Sequence, residues 1–188
     1  MESFAGKLLL AMPNMDDPRF HRAVILICAH DENGAMGLVI NHALPGLSFA
    51  SMLDQLNIPH VEVKPEALSN IAVYGGGPVE NARGFILHSR DFGLYDTINI
   101  TDEVGVTGTV DGLRAVAAGE GPKKMIFVLG YSGWTAGQLE KEIQDNVWLV
   151  AELDQNLLFS TPVEDKWAFG IKTLGVDLAM LSGDAGRA

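Results

Sequence analysis

Ser132 stands where a nucleophile could be placed. A strand-like run, Lys124 to Leu129, leads into Gly130-Tyr131-Ser132-Gly133-Trp134, and the sequence predicts a helix opening at Thr135. Many α/β enzymes set a nucleophile or bind an anion on that plan. The accompanying chemistry is absent. A nucleophile elbow wants Gly-x-Ser-x-Gly, and here the second glycine, Gly133, comes one position early. A serine nucleophile also needs a base. All 5 histidines precede position 89, whereas α/β-hydrolases place theirs after the serine. No residue is assigned a catalytic role, and the balance leans away from an enzyme.

Other chemistry-bearing residues read similarly. Gly75-Gly76-Gly77 could present successive N–H groups to an anion. No Lys-Ser or Lys-Thr follows, so a tight turn or a close backbone approach is the simpler reading. A small-molecule pocket, if the chain forms one, is expected to be lined by Gly75, Gly76, Gly77, His88, Tyr131 and Trp134. His88 closes a strand and reads as a hydrogen-bonded core or rim histidine. His30-Asp31-Glu32 is polar, but neighbours on an extended chain point in opposite directions. His21, His42 or His88 would have to converge on it to hold a metal, so no metal and no cofactor are expected. Cys28 is the single cysteine and excludes an internal disulfide. Its Val24-to-Ala29 surroundings predict a buried thiol, with redox sensing as the alternative.

These residues must be positioned by strands in the first half and helices in the second. Lys7 to Ala11, Ala23 to Ala29 and Ala35 to Asn41 are apolar runs. The last two, joined by a loop ending in Asn33-Gly34, signal a hairpin. Ser48 caps a short helix with Phe49, Met52, Leu53 and Leu56 on one face. Residues 60–70 read as a surface connection. Ile71 to Tyr74, Arg83 to Ser89, Asp96 to Asp102 and Val104 to Thr109 read as strands. Helices are expected from Thr109, with Val110, Leu113 and Val116 inward; from Thr135, with a Thr135/Gln138 capping box and a Trp134/Leu139 staple; and from Thr161. The clustering favours α+β with a mixed, bent sheet over a doubly wound one. One domain over residues 1–182 is expected, with 183–188 frayed.

Composition limits function. Of 188 residues, 47% are hydrophobic and 20% charged, an ordinary globular balance. The net charge of −11, from 13 basic and 24 acidic residues, disfavours direct contact with nucleic acid. No apolar run suits a membrane helix, and Glu2 and Lys7 spoil a signal peptide, so a soluble cytoplasmic protein is expected.

The order of short motifs is more specific. Leu9-Leu10-Ala11-Met12-Pro13, Asp17-Pro18-Arg19-Phe20 and Asn33-Gly34-Ala35-Met36-Gly37 with Asn41 come first. Gly75-Gly76, Pro78-Val79 and Arg83-Gly84-Phe85-Ile86-Leu87-His88 follow. Gly130-Tyr131, Trp134, Gly137-Gln138-Leu139-Glu140, Asp145-Asn146 and Trp148-Leu149 close the series. In this order, over nearly the whole chain, the sequence resembles the YqgE/AlgH family of bacterial proteins. The resemblance implies a mixed sheet folded into a pseudo-barrel and flanked by helices. It brings no catalytic residue or cofactor, and Ser132 departs from the alanine common there. It also carries a transcriptional-regulator label. With no helix-turn-helix and an acidic chain, the expectation is a non-enzymatic regulatory or adaptor protein acting through a protein partner. A ligand-binding protein and a Cys28 redox sensor are the alternatives.

Overall fold

The computed structural model describes residues 2–181; the expected frayed tail at 183–188 lies outside the described residues. In chain order the strands are β1 (Lys7–Ala11), β2 (Val24–Asp31), β3 (Gly34–Val39), β4 (Val73–Gly75), β5 (Val79–Ser89), β6 (Ile98–Asn99), β7 (Val104–Thr107), β8 (Met125–Thr135) and β9 (Trp148–Glu152). The helices are α1 (Phe49–Gln55), α2 (Pro65–Ser69), α3 (Val110–Ala117), α4 (Gln138–Gln144), α5 (Lys166–Thr173) and α6 (Leu178–Leu181). The protein is α+β with a mixed sheet: β4 runs parallel to β8, and the other strand pairings are antiparallel.

The chain divides into two compact units. The first comprises the described residues to His42 and from Ser132 onward. Here β9, β1, β2, β3 and the Ser132–Thr135 end of β8 lie side by side. Val24 to Cys28 are all buried, as the unbroken apolarity of that run predicts. Leu9 lies opposite Ile25, and Ile25 opposite Val39. Opposed residues share a sheet face, and these three pack with Trp134, Leu139 and Trp148 in one core. The hairpin between β2 and β3 is tighter than expected, with Asp31 already opposite Gly34. The Asp31 carboxylate accepts from the Asn33 N–H at 2.7 Å, fixing the turn.

The second unit is Ala43–Tyr131. Its strand order is β6-β7-β5-β8, with β4 on the other side of β8. Register places Val73 and Ile86 on either side of Phe127. Phe49 and Leu53 from α1, Leu68 from α2, and Leu113 and Val116 from α3 cover this row. Each such fully buried side chain contributes roughly 1.5–3 kcal/mol. Ser48 caps α1 as expected, its hydroxyl accepting from the Ser51 N–H at 3.1 Å.

Several expectations are corrected. Residues 130–134 are strand rather than turn, because Ala35, Met36 and Gly37 pair with Trp134, Gly133 and Ser132. Helix α4 therefore begins at Gln138, with Gly137 at φ +76° before it. The reach-back bond still forms: Gln138 Oε1 accepts from the Thr135 N–H at 3.0 Å. The 60–70 connection contains α2, where Pro65 starts a helical turn and Leu68 is buried. Val110 is exposed rather than inward; Gly112, Leu113, Val116 and Ala117 form the buried side of α3. Thr161 donates to the Asn156 carbonyl at 2.8 Å rather than capping a helix; a 3-10 turn at Val163–Asp165 follows Pro162 and leads into α5 at Lys166. Strand β9 escaped the sequence reading altogether.

Candidate functional site

In the second unit, the glycine turn and His88 are held apart. Gly75 lies opposite Leu129 and His88 opposite Met125. Those positions on β8 are about 13 Å apart at the usual strand rise. Gly76 donates its N–H to the Leu129 carbonyl at 2.7 Å, so that group extends the ladder. A Cβ on Gly76 would come within 2.3 Å of the Gly130 oxygen, and one on Gly130 within 2.8 Å of the Gly77 oxygen. The glycines let two backbones meet.

His88 is fully buried. Its Nδ1 lies 2.9 Å from the Ser89 carbonyl, which can only accept, so Nδ1 carries the proton. Nε2 then accepts from the Thr107 hydroxyl at 2.8 Å. Thr107 accepts from Thr97 at 2.7 Å, and Thr97 accepts from the Leu94 N–H at 2.8 Å. Burial pushes the imidazole below its ordinary pKa, so the neutral form is favoured. Such a ring ties the 89–97 loop to β7.

Tyr131 sits beside an irregular stretch of β5. From Val79 to Gly84 the strand advances five residues while β8 advances two, and Glu80 adopts φ +45°. Residues 80–83 bulge outward as a result. The Arg83 guanidinium lies 5.1 Å from the Phe85 ring and 6.0 Å from that of Tyr131, and reaches Glu80 at 3.3 Å. Burial, then the adjoining Glu80 carboxylate, raises the Tyr131 phenol.

Trp134 belongs to the first unit. Its indole N–H donates to Glu142 Oε2 at 2.9 Å, and the Trp148 indole donates to the same oxygen at 2.8 Å. Gln138 supplies the other carboxylate oxygen with a donor at 2.9 Å. Sequence reading missed Glu142, although its spacing from Gln138 on one helix face was an available signal. It also missed Lys166, which is 1% exposed. The Lys166 ammonium donates to the Ile40 and Leu158 carbonyls at 2.9 and 3.0 Å, and burial lowers its pKa to about 8. No sequence pattern announces that role.

Ser132, Cys28 and the His30 ring are enclosed, whereas His21, Asp31, Glu32 and His42 are exposed. Ser132 is buried in mid-strand opposite Gly37. Cys28 is buried, its thiol pushed up to about 12 by desolvation. His30 accepts the Phe4 N–H on Nδ1 at 3.0 Å, so its Nε2–H donates to Glu140 at 2.9 Å. Glu140's own backbone N–H first, and then His30, hold that carboxyl below the usual range. Among the described residues, no three His, Cys, Asp or Glu side chains converge to hold a metal ion. None of their helices is long and apolar enough to cross a membrane.

Fold and geometry together define an α+β protein whose polar side chains chiefly tie strands, loops and helix ends. The AlgH-like family model matches residues 8–179, and the chain belongs to that family. A UPF0301 protein from Cereibacter sphaeroides is 49% identical over 185 residues, covering 98% of each chain. One from Bradyrhizobium diazoefficiens is 47% identical over 188 residues, covering 97% of this chain and 87% of its own. The solution structure of the AlgH protein from Pseudomonas aeruginosa matches with TM-score 0.78 and 40% identity over 100% of both chains. A crystal structure from Corynebacterium diphtheriae, 20% identical with TM-score 0.75 over 97% of this chain and 93% of its own, shares the fold.

Proposed function

We propose that this protein is a non-enzymatic regulator or adaptor that acts by binding a protein partner. The main support is how the chain spends its reactive groups. His88 is fixed as a neutral tautomer between Ser89 and Thr107, and Ser132 and Cys28 are enclosed in strands. Catalysis needs a nucleophile or base within reach of substrate, and these groups are turned inward. Large apolar side chains, by contrast, remain at the surface, Val61 and Tyr95 foremost. Single exposed apolar residues are ordinary, but apolar residues exposed together suit contact with another chain. The acidic charge favours a partner with basic residues.

Native mass spectrometry of protein gently purified from its own host tests this. A second polypeptide at fixed stoichiometry that rebinds when purified alone is the expected result. A retained small molecule with no polypeptide would sink the proposal and bring a ligand-binding role forward.

A further inference from the structure

Strand β6 ends the sheet of the second unit, and both of its residues are exposed. Ile100 donates to Val104 at 3.0 Å in the same register that pairs Ile98 with Val106. Antiparallel bonding alternates along a strand, so Asn99 turns its N–H and carbonyl away from β7. These are the groups an added strand would use.

The end of this ladder gathers three further features. Thr97 bonds Thr107 across the strands, so Tyr95 and Asp96 on one side and Thr109 and Val110 on the other fall at the same end. Tyr95 is 85% exposed, Ile98 54% and Val110 42%. Asp96 Oδ1 and Thr109 Oγ1 are buried atoms with no hydrogen-bond partner. Such orphans are uncommon and call for an explanation. The Thr97–Thr107–His88 chain meanwhile holds the end of β6 in place, so the surface is already formed.

Charge selects the occupant. The segment Tyr95–Glu103 carries Asp96, Asp102 and Glu103 and no lysine or arginine. Arg90 reaches it but donates to the Thr101 carbonyl at 2.8 Å. We propose that the outer edge of β6 docks an extended segment of a partner protein, one with a lysine or arginine flanked by apolar residues. Its backbone bonds Asn99, and its cation pairs with the acidic segment of Asp96, Asp102 and Glu103. Its apolar side chains cover Tyr95, Ile98 and Val110.

This inference rests on the partner-binding reading, and one experiment separates the two. Benzoylphenylalanine is installed at position 95 or, as a control on the same unit, at position 61, where Val61 is 89% exposed. Both sites are open, so neither change threatens folding. Cells of the native host are irradiated and the cross-linked peptides sequenced. The expected product forms at position 95 and contains Lys or Arg between apolar residues. As a synthetic peptide it should bind the full chain about tenfold more weakly after Asp96→Asn, and more weakly in high salt. Cross-links at position 61 alone overturn the site and leave the partner reading standing. A second copy of this chain, an acidic segment, or an unchanged affinity with Asp96→Asn overturns the occupant. No cross-link at either position, with a lone polypeptide by mass spectrometry, overturns both.

Discussion

Glu142 shows how one carboxylate can organise a core. Two indole donors converge on one of its oxygens, and the Trp134 and Trp148 rings meet edge to face at 6.4 Å. Glu142→Ala leaves both N–H groups without an acceptor among buried rings. The expected loss is about 1–3 kcal/mol of stability, since orphaned buried donors carry their full desolvation cost. A lower urea midpoint with altered tryptophan emission is the readout; an unchanged midpoint would mean that water replaces the carboxylate. Cys28 supplies a second residue-scale test. A thiol held near 12 has almost no thiolate at neutral pH, and burial blocks access to it. Iodoacetamide should label native protein far more slowly than protein in urea. Equal rates would restore Cys28 as a redox candidate.

Among the elements, Gly34 carries the hairpin. It sits at φ +139°, and an added Cβ would lie 2.1 Å from the Trp134 carbonyl oxygen on β8. Gly34→Ala is therefore expected to cost about 1–3 kcal/mol from backbone strain alone, with the clash in addition. Amide exchange should quicken first in β3; unaltered protection there would refute the clash. This hairpin was legible because Asn-Gly between apolar runs is a local signal. The α1 cap and the reach of Gln138 to Thr135 were legible for the same reason. The β8 extension was not: two glycines around Ser132 imitate a turn, and only pairing with β3 makes them strand. Strand β9 was invisible because its pattern follows from β1 beside it. The candidate site was least legible. His88, Glu142 and Lys166 owe their roles to partners 19, 8 and 126 residues away.

At the scale of the whole molecule, two enclosed groups give stability opposite slopes with pH. Lys166 falls from its ordinary 10.5 to about 8 on folding. Between those values the unfolded chain holds a proton that the folded chain lacks, so stability falls as pH drops from about 10.5 to 8. The full span is on the order of 3 kcal/mol. Cys28 rises from 9.0 to about 12. Above about 9 the unfolded thiol releases a proton that the folded one keeps, so stability falls as pH rises. His88, lowered by burial from 6.5, adds a loss as pH falls below that ordinary value. The urea midpoint should therefore climb from pH 8 to a crest near 9 and stop climbing where Cys28 opposes Lys166. Cys28→Ala should carry the climb on towards pH 10, where the raised Tyr74 and Tyr131 phenols begin to oppose it. Lys166→Met should abolish it and lower the neutral-pH midpoint, since the Ile40 and Leu158 carbonyls lose a donor. A climb that survives Lys166→Met would assign the alkaline slope to another group.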